Sequence, residues 1–81
     1  MVTYHIMDAI SNELYLSLKM KYQNEIQTYK TTLLIYFEKP VGISDHSDHI
    51  DEMDKLLEKM TCANDKLTTL KKHFKSMYSR I

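Results

Sequence analysis

The chain has 81 residues, 43% of them hydrophobic, with a single Gly and a single Pro, and its eleven Lys and Arg balance eleven Asp and Glu. That length allows one small domain, and so little Gly and Pro excludes a turn-rich all-β or disordered chain in favour of long uninterrupted elements. The lack of net charge removes the general basic excess behind nucleic-acid affinity or attachment to anionic membranes.

Cys62 is the only cysteine, so neither an intramolecular disulfide nor a thiolate zinc cluster is expected, and a reducing compartment fits best. The segment Met1 to Asp8 lacks the basic and apolar regions of a leader. The longest apolar run, Leu33 to Phe37, is far short of the ~20 residues that span a bilayer. A soluble, unexported protein without a transmembrane segment is expected.

The first predicted helix covers about 5–38. Its apolar positions Met7, Ile10, Leu14, Leu18, Tyr22, Ile26, Tyr29, Leu33 and Tyr36 begin with steps of four and settle into a four-three alternation after Tyr22. Successive steps of four predict a stutter that locally unwinds a supercoil. Tyr15, Tyr22, Tyr29 and Tyr36 recur every seven residues. They form an aromatic ladder read as a core edge whose hydroxyls reach water and, with Leu34 and Phe37, as the candidate partner-contact surface. Thr31 to Phe37 is β-branched and aromatic enough for a strand, but its continuity with the stripe predicts helix.

A turn follows over 39–46, where Pro40 and Gly42 suit a type I turn starting at Lys39 or a type II turn starting at Pro40. Ser44, Asp45 and Ser47 are candidate N-caps for a second helix over about 47–79. Asp48, Asp51 and Glu52 then complement the positive end of its dipole, and Lys71, Lys72, Lys75 and Arg80 the negative end.

In this second helix His49, Met53, Leu56, Met60, Ala63, Leu67, Leu70, Phe74, Met77 and Ile81 alternate steps of four and three without interruption. That is a heptad seam, widened near the turn by Ile50 and Leu57. The fold predicted is all-α: one domain over 1–81, a long antiparallel coiled-coil-like hairpin.

Two helices of about 33 residues extend roughly 50 Å and meet along one seam, leaving Leu16, Met20, Leu34, Ile35 and Phe37 off the first helix's stripe. Two-helix units of this kind generally need further helices, so self-association into a four-helix bundle is expected. Residues 45–58 carry six acidic side chains against one basic, and 59–81 six basic against one acidic, local charges of −5 and +5. An antiparallel dimer would set opposite charges side by side.

Little in the sequence points to chemistry. Asp45, His46 and His49 could offer carboxylate and imidazole to a divalent metal. The spacing matches neither H-E-x-x-H nor an EF-hand, and capping accounts for acidic residues at a helix start, so no metal or cofactor is expected. One glycine cannot build a nucleophile elbow, phosphate loop or dinucleotide fingerprint, and no enzymatic activity is expected. The basic end, Lys66 to Arg80, is the one candidate nucleic-acid surface, but Phe74 belongs to the core row and cannot also stack on bases.

Pro40-Val-Gly-Ile-Ser-Asp-His46, then Ser47 to Glu58 and Asn64-Asp-Lys-Leu67, resemble a group of small uncharacterised proteins of tailed bacteriophages, in which a P-V-G-I-G-E-H-type turn joins two helices. The resemblance covers roughly residues 38–74, with Ser44 and Asp45 standing where the group has Gly and Glu. It implies a phage setting: a non-enzymatic assembly or virion protein in the host cytoplasm or the particle, whose partners are itself, a phage structural protein or a host protein. The alternative is a small regulator that binds and modulates a host or phage enzyme during infection.

Overall fold

A computed structural model describes the backbone of α1, Val2–Glu38, and α2, His46–Tyr78, with side chains described for residues 9–38 and 48–78. The turn at Pro40 and Gly42 and the caps Ser44 and Asp45 lie outside the described residues, whereas the candidate cap Ser47 is already inside α2, which starts at His46. The two helices pack on each other as an antiparallel hairpin 66 Å long and 17 × 13 Å across. Among the described residues there is no strand, and no helix is long and apolar enough to cross a membrane.

Helix is favoured throughout because Gly and Pro are confined to the connection. The β-branched stretch near the end of α1 is accommodated by local hydrogen bonds: the Thr32 hydroxyl donates to the Thr28 carbonyl at 3.0 Å, and Gln27 Nε2 to Thr31 Oγ1 at 3.2 Å. In α2, Asp48 sits in the first turn and Lys75 in the last, each on its favourable end of the dipole.

The seam of α2 follows the predicted heptad through Leu70. Ala63 and Leu67 are buried, and His49, Met53, Leu56, Met60 and Leu70 are half-buried. It departs at the end, where Phe74 and Met77 are exposed and the half-buried residue is Tyr78, stacked on Phe74 with ring centroids 6.3 Å apart. Ile50 and Leu57 do not widen the seam but stand exposed on its flank.

The seam of α1 corrects the sequence reading. No stutter occurs: the seam runs Asn12, Tyr15, Lys19, Tyr22, Ile26, Tyr29, Leu33 and Tyr36, alternating three and four throughout, with Ser11, Leu16, Glu25 and Thr32 half-buried beside it. Ile10, Leu14 and Leu18 therefore face outward, Leu14 at 62% exposure, whereas Tyr15 is only 5% exposed. The cause is the partner helix. An uninterrupted heptad on α2 demands the same supercoil of α1, and a stutter would swing half of α1 off the seam. Lys19 tolerates its place there because a lysine stem packs against apolar surface while the ammonium reaches water. The predicted position Met7 lies outside the described side chains.

The pairing follows from two contacts. Tyr36 meets His49, and Tyr15 shares a groove with Leu70. In that register Tyr22, fourteen residues before Tyr36, faces Ala63, fourteen after His49. The smallest apolar side chain of α2, 2% exposed, thus lies opposite a bulky phenol.

Candidate interaction surface

The tyrosine ladder is not a free surface. Tyr15 is buried and Tyr22, Tyr29 and Tyr36 are half-buried, because their seven-residue spacing makes them one row of the seam. Tyr22 is flanked by two ammonium groups, Lys21 Nζ at 5.8 Å and Lys66 Nζ at 5.9 Å from the ring centroid, a partly solvated cation–π arrangement. Of the predicted contact residues, Leu34 and Phe37 are the exposed ones, Phe37 at 73%.

Around them the structure exposes Ile35, Ile50 and Leu57 toward the turn end, and Ile10, Leu14, Leu18, Phe74 and Met77 toward the open end. At the open end Leu14 and Leu18 of α1 and Leu70, Phe74 and Tyr78 of α2 line a shallow open groove of about 270 Å³ with Ser11 and Tyr15. Its walls are apolar and aromatic, with no charged side chain among them. This suits burial against another protein surface.

Charge is polarised along α2. Asp48, Asp51, Glu52, Asp54 and Glu58 occupy the turn half, and Lys66, Lys71, Lys72 and Lys75 the open half, all exposed. The Glu52–Lys55 pair, 3.7 Å apart and exposed on both sides, adds little stability. On α1, Lys21 donates to Glu25 one turn later, and this hydrogen bond and charge hold the Lys21 ammonium above its ordinary pKa. Its small contribution is present at neutral pH and is lost as the pH rises through the raised value.

His49, weighed above as a metal ligand, has a structural task. Its Nε2 lies 3.0 Å from the Tyr36 carbonyl, with the rings in a T-shaped contact at 4.7 Å between centroids. That carbonyl is among the last four of α1, which have no partner inside their own helix. The imidazole N–H donates to it and pins the two helices together beside the turn. Such interhelical capping was invisible in the sequence, since donor and acceptor meet only once the hairpin closes.

His49→Ala should destabilise the hairpin by about 1 kcal/mol, the ordinary net value of one hydrogen bond, measured by urea unfolding. The side chains of His46 and Asp45 lie outside the described residues. Among those described, no three His, Cys, Asp or Glu side chains gather as a metal site. Calorimetric titration with zinc or nickel should show no submicromolar binding. Tight binding abolished by His49→Ala would contradict this.

Comparison with family models, curated proteins and solved structures finds no match.

Proposed function

We propose that this chain is a non-enzymatic assembly protein of a tailed phage, acting by packing its apolar flanks against further helices, most simply those of a second copy. The supporting observation is the ratio of covered to uncovered apolar side chains. Among the described residues four hydrophobic side chains are buried, while eleven large ones remain 41–73% exposed on both flanks and at both ends. Isolated exposed hydrophobics are ordinary, but contiguous patches on so small a chain mark contact sites. The phage setting rests on the likeness of the turn and the start of α2 to that group of proteins.

Folding and association should then be linked, so the urea midpoint rises with protein concentration. A midpoint unchanged over a hundredfold dilution would show that the hairpin satisfies its own core.

The concentration of Leu34, Ile35, Phe37 and Ile50 toward the turn end favours a second reading, a regulator that presents this end to a host or phage enzyme. Peptide mass spectrometry separates the two. Many copies in purified particles support a virion component, whereas abundance in infected cells and absence from particles support the regulator.

A further inference from the structure

We propose that the second copy docks on one particular face of the hairpin, with the two turns at opposite ends and a two-fold axis passing beside Asn64. This rests on the self-assembly reading above and adds a face, an orientation and a register.

The area supports a partner of this size. The chain exposes 6644 Å², whereas a compact monomer of 9.6 kDa exposes about 5,100 Å². The surplus of about 1,500 Å² exceeds the roughly 800 Å² that each partner loses in a standard interface.

The hairpin has two broad faces, one on either side of the seam. Lys21 and Lys66 both lie over the Tyr22 ring and so identify the first. At three- and four-residue steps from Lys66, α2 adds Lys55, Lys59, Cys62 and His73 to that face. The carboxylates of the face, Glu25 and Glu52, are already paired with Lys21 and Lys55, which leaves Lys59 and Lys66 as its free charges among the described residues. A two-fold axis there would set lysine near lysine. This face opposes its own copy.

The other face is self-complementary. Along α2 it carries Asp54, Leu57, Thr61, Asn64, Thr68, Lys71 and Lys75, again at steps of three and four. Asp54 lies ten residues before Asn64 and Lys75 eleven after it. An antiparallel two-fold axis beside Asn64 therefore sets Asp54 against the partner's Lys75. Leu57 meets the aliphatic stem of the partner's Lys71, and Thr61 meets the partner's Thr68, small enough for close approach at the centre.

α1 agrees with the same axis. In the hairpin register Tyr22 lies beside Ala63, so the axis crosses α1 next to Lys21 and Tyr22. Glu13 then faces the partner's Lys30, and the exposed Met20 lies within one turn of the axis. One axis thus produces opposite-charge pairs on both helices, which orient the partner while Leu34, Met20, Ile50 and Leu57 supply apolar area.

Cross-linking tests the geometry. In a Cys62→Ser background, Asn64→Cys should form a disulfide-linked dimer under mild oxidation, whereas the native Cys62, exposed on the opposite face, should not. Charge exchange is the second measurement. Asp54→Lys or Lys75→Asp alone should weaken the dimer about tenfold, since each occurs twice per dimer, and the double variant should return to within about twofold of the parent. A dimeric parent that cross-links through Cys62 and not through position 64, with no recovery in the double variant, overturns this geometry and leaves self-assembly standing. A monomeric parent overturns both.

Discussion

Leu67→Ala should destabilise the protein by about 2–5 kcal/mol, the usual cost of truncating a well-packed core leucine. Leu67 is one of four buried hydrophobic residues among those described, and it sits near the middle of the seam. A chain of this length has a total stability of about 4–12 kcal/mol, so the loss takes a large share of it. Leu14→Ala is the informative control. It removes the same atoms from a site the sequence pattern assigns to the core and the structure places in solvent, so its cost should stay below about 1 kcal/mol. Equal losses at the two positions would restore the stutter and refute the continuous seam.

Ala63→Asp should have a still larger effect, of order 4 kcal/mol or more, seen as loss of the cooperative transition and of the helical circular-dichroism signal. Ala63 is the most deeply covered side chain described, facing Tyr22 across the seam. A carboxylate there would be taken out of water in the closed seam, and its extra volume displaces the phenol. Thr69→Asp, six residues away, exposed and on the face opposite the proposed dimer contact, should change stability by less than about 0.5 kcal/mol. Retention of full stability by Ala63→Asp would show that the helices do not pack in this register.

The two seams differ in how plainly the sequence displays them. On α2 the heptad is read directly from His49 to Leu70, because nearly every seam position is apolar and its neighbours are charged. On α1 the greater hydrophobicity of Ile10, Leu14 and Leu18 outweighs Asn12 and Lys19, and local periodicity follows the wrong row. The correct signal lies in Tyr15, Tyr22, Tyr29 and Tyr36: four large side chains at strict sevens define a row of a supercoiled seam, and the row between them must then include Lys19. The same spacing explains why the tyrosines, read as a contact surface, are enclosed. Leu34 and Phe37, off both rows, remain outside.

At the end of α2 coverage passes from Met77 to Tyr78, whose ring stacks on Phe74, a local pairing that a strict repeat does not encode. The His49 bond to the Tyr36 carbonyl was hidden for another reason, since every helix end has free carbonyls and only the closed chain decides which donor reaches them.

Light scattering on a sizing column tests the assembly claim most directly. At micromolar concentration the protein should elute with about twice the 9.6 kDa mass of the chain, and added salt should shift the equilibrium only modestly, because burial of Leu, Met and Ile provides most of the association energy. A cooperatively unfolding species at the mass of a single chain, unchanged as the concentration is raised, would contradict it.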